Sequence, residues 1–346
     1  MILLPDPQNF TETEMHDTLS APGAATITKG DLPVLCLGER DVARLLDPTS
    51  LLDGLAEGFR RLASGDVQSP ERVGVTLPNA GFSLSMPAWA PGWPIAVKVV
   101  NVFEGNLARG LPNHLALIAL FDPETGTPLC IMDGTHITGM RTAASAVLSV
   151  RELARPDARV VTLIGAGVQG REHLRLLPLV RDFAEIRIAS LHFADAQLLA
   201  ESHSGARAVE DVEAAIRSSD VVCLATHAYA PVIDAGWIRP GTHVSSVGYA
   251  PPSGELPPDL LKRGRLFVET ADAFNAPPVG CGELAGIDPA TATALGEVLL
   301  GHKPGRITQG DITIYKAMGI AMEDLVAARI VYDGARTGQA GTTLLL

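Results

Sequence analysis

Apolar residues are spaced along this chain in two textures. After a Pro-, Thr-, Gly- and Ala-rich opening without periodicity (1–31), residues 32–37 read as a strand. Stretches 40–46 and 49–63 then place Leu51, Leu52, Leu55, Phe59 and Leu62 at helical spacing. Short apolar runs broken by Pro and Gly follow at 72–77, 81–86, 95–103, 115–121 and, beyond a turn at 122–126, 128–133. That texture predicts an antiparallel α+β region. From Arg141 an Ala-rich helix runs to Leu153, and strands then alternate with helices: 160–164, 186–189, 221–225, 243–247 and 266–269. Such alternation predicts a parallel sheet covered on both faces. A last helical stretch, 314–336, is expected to pack back on the N-terminal half. The predicted fold class is α/β: a doubly wound Rossmann unit (156–312) inserted into an α+β unit (32–155 plus 313–346), preceded by an arm (1–31).

Bulk properties narrow the partners. A chain of 346 residues exceeds the usual size of one hydrophobic core, and 47% hydrophobic with 19% charged residues suits packed globular domains. A net charge of −12 and the lack of a basic run argue against nucleic acid or an anionic membrane as partner. No run approaches the roughly 18 apolar residues of a membrane span, and the start, Met1–Leu4 followed by Pro5-Asp6-Pro7, is unlike a secretion signal. Cys36, Cys130, Cys223 and Cys281 are scattered, which suits reduced thiols and a cytoplasmic location. The histidines form no metal pattern.

The clearest chemistry lies at 160–170. A buried-strand run, Val160 to Ile164, leads into Gly165-Ala-Gly167-Val168-Gln169-Gly170 and a helix-compatible stretch. G-x-G-x-x-G is weak alone, but between strand and helix it reads as a dinucleotide loop. Gly165 permits the tight turn, Gly167 lets a pyrophosphate approach the backbone, and Gly170 lets helix pack on strand. The helix N-terminus then offers free N–H groups to phosphate. Thr142, Val168, Gln169, Ser190, Thr226 and Gly248 complete the candidate cofactor set. Ser190 stands where an NAD enzyme usually offers a carboxylate to the ribose, so NADPH is slightly favoured over NADH, although no arginine follows to receive a 2′-phosphate.

Three cations are candidates for a second ligand. Lys98 is the only charge in Ile95–Phe103, where lost solvation would lower its pKa towards a value useful for proton transfer; an edge-strand lysine placed against aggregation is the other reading. Arg141, read as starting a helix, is opposed by the helix dipole, which implies a nearby anion: a ligand carboxylate held by the guanidinium, or Asp133. Arg72 reads as a surface ion-pairing residue or a second carboxylate ligand.

Lys98-x-x-Asn101, Gly110-Leu-Pro112, Ile137-Thr-Gly-Met-Arg-Thr-Ala-Ala144, Ile164-Gly-Ala-Gly-Val-Gln169 and Ile314-Tyr-Lys-Ala-Met-Gly319-x-Ala-x-Glu-Asp324 occur in that order. Together they resemble the ornithine cyclodeaminase/mu-crystallin family, from Leu32 to the C-terminus. The resemblance implies a homodimer, a Rossmann domain between two pieces of a substrate domain, and a small amino or imino acid as substrate. It also implies that Arg72 and Arg141 bind the substrate carboxylate, that Lys98 transfers a proton, and that Asn113 lies near the substrate. One departure matters. Cyclodeaminases of the family carry an aspartate two residues beyond the glycine that corresponds to Gly248, and this chain has Ala250 there. Glu104 and Glu283 are the candidate substitutes. Loss of that acid moves the expectation from an ornithine or lysine cyclodeaminase to an NAD(P)H-dependent imino-acid reductase; a small-molecule binder of mu-crystallin type is a further alternative.

Overall fold

The structure is a computed structural model that describes residues 32–250, 253–277 and 279–346. The expected arm, 1–31, lies outside the described residues. The N-terminal half contains β1 (Pro33–Leu37), α1 (Glu39–Leu45), α2 (Pro48–Ala63), β2 (Val73–Leu77), β3 (Gly81–Ala88), β4 (Ile95–Val102), β5 (His114–Phe121), β6 (Pro128–Asp133) and α3 (Thr135–Leu153). Next come β7 (Val160–Ile164), α4 (Val168–Val180), β8 (Glu185–Ala189), α5 (Phe193–Glu201), β9 (Ala206–Ala208), α6 (Val212–Arg217), β10 (Val221–Leu224), β11 (His243–Ser246), α7 (Pro258–Arg263) and β12 (Arg265–Val268). The chain ends with β13 (Thr293–Ala294), α8 (Leu295–Leu299), β14 (Thr313–Lys316), α9 (Ala321–Gly338) and β15 (Thr342–Leu345).

Among the described residues these strands build two sheets. The first runs β15-β1-β6-β5-β4-β3-β2. It is mixed rather than antiparallel throughout, because β1 lies parallel to β6 while the remaining pairs are antiparallel. Residues between β1 and β6 fold as helices and hairpins before the chain returns, a crossover long enough for parallel pairing. The second sheet, β13-β12-β14-β11-β10-β7-β8-β9, is parallel in every pair and reverses its winding direction beside β7, as a doubly wound fold requires.

The predicted helix 314–336 is corrected at its start. Thr313–Lys316 is a buried strand between β11 and β12, and the helix begins only at Ala321. Four consecutive residues buried on both faces carry no period-2 signal, so Ile314 and Tyr315 pass as helix-compatible. The boundary expected at 313 therefore precedes a strand of the parallel sheet.

Helix α3 joins the two halves. Its alanines leave no polar face, and thirteen of its nineteen residues are buried, as expected for a helix surrounded by other elements. It packs on α2, α4 and α9, so one continuous apolar core runs from Ile118 and Leu120 of the first sheet through Val147 to Leu163 of the second. A separate core fills the opposite face of the parallel sheet.

Candidate active site

The glycine loop has the geometry its sequence demands. Gly165 sits at φ +115, where an added Cβ would lie 2.3 Å from the Ala225 carbonyl. At Gly170 a Cβ would come within 2.1 Å of the Gly165 oxygen, whereas at Gly167 it would meet nothing within 4 Å. Two glycines are thus required by the fold, and the third faces open space at the N-cap of α4, where no side chain caps the helix. Open N–H groups at the start of a 13-residue helix fit a pyrophosphate. Val168 is exposed beside this opening, and the side-chain amide oxygen of Gln169, Oε1, is buried without a hydrogen-bond donor among the described residues. Ser190 follows β8, while Thr226 and Gly248 follow β10 and β11, so these candidates share the carboxyl-end crevice of one sheet.

Lys98 belongs to β4, an interior strand between β3 and β5, and is only 1% exposed; the edge-strand reading is therefore withdrawn. It donates to Asp324 Oδ1 at 2.9 Å. Arg141 is likewise buried and donates from Nε to the same oxygen at 3.2 Å and from Nη1 to Glu323 at 2.8 Å. Burial pushes the Lys98 ammonium down to about 8, with Asp324 pulling it back up and Arg141 adding to the fall. Burial opposes the charge on Arg141 too, but Asp324 and Glu323 outweigh it and hold that group above its ordinary value.

Anions do lie beside Arg141, but not because it starts a helix. Helix α3 starts at Thr135, with the Asp133 carboxylate accepting from the N–H groups of Thr135 and His136, so Asp133 serves the helix end rather than Arg141. Arg141 lies in the second turn. Its anions come instead from the first turn of α9, where the helix dipole favours Glu323 and Asp324. Gly319, at φ +73, lets the guanidinium lie against the backbone: a Cβ there would be 1.8 Å from Nη1.

Among the described residues Arg72 has no ion-pair partner. It donates to the carbonyls of Gly319 at 2.6 Å and Met318 at 3.4 Å, on the segment that leads into α9. Glu269 holds this segment from the other side, accepting from the N–H groups of Met318 and Gly319. Burial and the neighbouring Glu269 push the Glu323 carboxyl well above the usual range, and its Oε1 has no donor. A crevice lined by Ser69, Arg72, Met86, Glu269, Met318 and Ile320 opens beside the cluster. Lys98 does not line it, but its cross-strand partner Met86 does.

Asn113 is on the loop before β5, with Oδ1 3.3 Å from a ring nitrogen of His114. Thr142 is half-buried next to Arg141 on α3. Ala250 is buried and brings no acid. Neither proposed substitute replaces one. Glu283 forms an ion pair with Lys316, and Glu104 is 72% exposed within reach of Tyr229 and His227. Glu255, Glu269, Lys316, Glu323 and Asp324 join the site without a local signal in the sequence. The last three were inside the motif Ile314 to Asp324, without a role; the first two are lone acids in loops, with no local pattern to mark them.

Comparison with known proteins agrees with this architecture. The model of the ornithine cyclodeaminase/mu-crystallin family matches residues 35–339. Ketimine reductase mu-crystallin of Rattus norvegicus is 33% identical over 292 residues, covering 83% of this chain and 92% of the relative. An alanine dehydrogenase of Archaeoglobus fulgidus is 32% identical over 323 residues, covering 90% and 98%. Among solved structures, Thermococcus litoralis Δ1-pyrroline-2-carboxylate reductase in complex with NADH and L-proline superposes with a TM-score of 0.84 at 32% identity, covering 90% of this chain and all of that one. The chain belongs to the ornithine cyclodeaminase/mu-crystallin family.

Proposed function

We propose that the protein is an NAD(P)H-dependent reductase of the C=N bond of α-imino carboxylates, able to run in reverse on the α-amino acid. Cyclic ketimines such as pyrroline- or piperideine-2-carboxylate are the leading substrates, followed by an open imine made from a keto acid and an amine. The observation that carries this reading is the meeting of Lys98 and Arg141 on one buried carboxylate, next to a glycine loop built for a dinucleotide. The ketimine and pyrroline-carboxylate reductases and the alanine dehydrogenase among its relatives support it.

The Arg72 guanidinium lines the crevice and donates to the Gly319 carbonyl, and Arg141 lies against the same Gly319 backbone, which suits a substrate carboxylate. Arg141 and Arg72 would grip that carboxylate and so aim the imine carbon. Bound NAD(P)H would supply the hydride. Lys98, with its lowered pKa, would give a proton to the imine nitrogen, or take one in the reverse direction, while Asp324 orients the ammonium. The apolar wall of the first sheet excludes water from the pair. Cyclodeamination is disfavoured because the position of the missing aspartate is a methyl group and Glu283 is engaged by Lys316.

We also place the protein in the cytoplasm, on its four unpaired thiols, and read it as a homodimer. The described residues contain no helix long and apolar enough to cross a membrane. The test is to mix the protein with NADH or NADPH and a panel of cyclic imines, keto acid plus amine mixtures, and ornithine, following nicotinamide absorbance and ammonia together. Imine-dependent oxidation of the reduced cofactor is expected. Ammonia released from ornithine without net cofactor consumption would overturn the reductase reading in favour of cyclodeamination, and ligand binding without any turnover would make the protein a binder.

A further inference from the structure

The fully buried carboxylate of Glu255 takes no part in the chemistry above, yet it collects four hydrogen bonds from two strand-end loops. Its Oε1 accepts from the N–H and the hydroxyl of Thr226, just beyond β10. Its Oε2 accepts from the Ser246 hydroxyl at 2.8 Å, at the end of β11, and from the Gly248 N–H at 2.7 Å. The Gly248 backbone lies so close that a Cβ there would be 2.3 Å from the carboxyl carbon. Lys316 holds the same loop from below, donating to the Gly248 carbonyl at 2.6 Å and to Ser246 at 3.1 Å. Glu283, paired with Lys316, accepts from the N–H of Leu256 and so secures the residue after Glu255.

These two loops lie on one side of the crevice. A dinucleotide whose pyrophosphate sits at the start of α4 and whose adenosine lies over β8 must place its other half over the ends of β10 and β11. We infer that Glu255 is a positioning residue that pre-shapes the nicotinamide half of the cofactor site by clamping the loops after β10 and β11 in one arrangement. The inference rests on the reading of the chain as nicotinamide-dependent. An amide cannot replace the clamp. Each carboxylate oxygen receives a backbone N–H, so the NH2 of a glutamine opposes a donor whichever way it is turned.

Wild type and Glu255→Gln are titrated with NADH and NADPH by nicotinamide fluorescence, and with ADP-ribose, which lacks the nicotinamide, by calorimetry. The Kd for the reduced cofactors is expected to rise about tenfold or more and that for ADP-ribose to change less than about twofold. Glu255→Asp, too short to reach both loops, should fall between. Unchanged NADH and NADPH binding, or an equal loss for ADP-ribose, would overturn the clamp. If Glu255→Gln does not fold, Thr226→Val removes the hydroxyl contact of one loop alone; it should weaken NADH severalfold and spare ADP-ribose, and equal NADH binding would overturn the clamp again. A wild-type protein that binds NADH or NADPH but reduces no imine overturns the functional reading and leaves the clamp standing. One that binds neither overturns both.

Discussion

The Lys98 amine is a proton donor only below its pKa and an acceptor only above it, so a value of about 8 makes the two reaction directions mirror each other in pH. Imine reduction should lose kcat/KM as pH rises through about 8, and amino-acid oxidation should gain it over the same range, both read from steady-state profiles. Stability follows the same group with a definite sign. Its folded pKa lies below the ordinary 10.5, so between about 8 and 10.5 the unfolded chain binds more protons, and this group's contribution to unfolding free energy rises with pH across that window. Lys98→Met should abolish turnover and leave NAD(P)H binding intact. It also takes one of two hydrogen-bonded cations from Asp324 and leaves it Arg141, at a cost of up to about 3 kcal/mol in urea unfolding. A turning-over methionine variant would end the proton-transfer role. Ser190 offers a second residue-scale test. Placing a carboxylate there with Ser190→Asp should repel a 2′-phosphate and accept ribose hydroxyls, raising KM for NADPH at least about tenfold while NADH holds or improves. Lys98 was legible because a lone charge in an apolar strand is conspicuous. Its partner Asp324, 226 residues away, was not, because nothing local in a first helical turn marks a carboxylate as a ligand of a distant lysine.

At the scale of elements, the three glycines of the loop after β7 separate two physical duties that the motif alone presents as one. A methyl group at Gly170 collides with the Gly165 carbonyl, so Gly170→Ala should destabilise the fold by about 1–3 kcal/mol and lower Tm along with cofactor affinity. At Gly167 the methyl group meets no protein atom, and Gly167→Ala should keep the wild-type Tm while NAD(P)H binding falls steeply. Equal Tm losses in the two variants would refute this division. The strand-turn-helix unit around these glycines was legible because period, turn and cap all agree there. Helix α3 was only half legible. The stretch from Thr135 to Met140 carries threonine, histidine and glycine ahead of the alanine-rich part, so propensity delayed its start, whereas the Asp133 cap and tertiary packing set it at Thr135. Strand β14 was hidden for the opposite reason, being buried on both faces and hence without a period.

On the scale of the whole molecule, register assigns an apolar surface to the side of the first sheet that faces away from the core. Lys98, Val100 and Ile118 point inward, so the alternate positions Val99, Leu115 and Leu117 point outward, and cross-strand pairing through Ser83 and Ser85 adds Val73 and Val75 to the same face. Val73 and Val75 are 71% and 65% exposed, and Leu117 is 48% exposed. A sheet face with exposed valines and leucines on either side of a serine row is a poor surface to leave in water and a good one for a second copy, which brings the same face to a two-fold axis. A homodimer of the proposed kind should bury this face and run as a dimer in sedimentation equilibrium. Two lysines on it, Val75→Lys with Leu117→Lys, must then each be desolvated twice over in the symmetric interface, and the variant should sediment as a monomer. Because neither position touches the core, circular dichroism of the variant should match wild type, which separates lost association from lost folding. A wild-type monomer, or a double variant that is still dimeric, would move the interface elsewhere and leave this face in need of another cover.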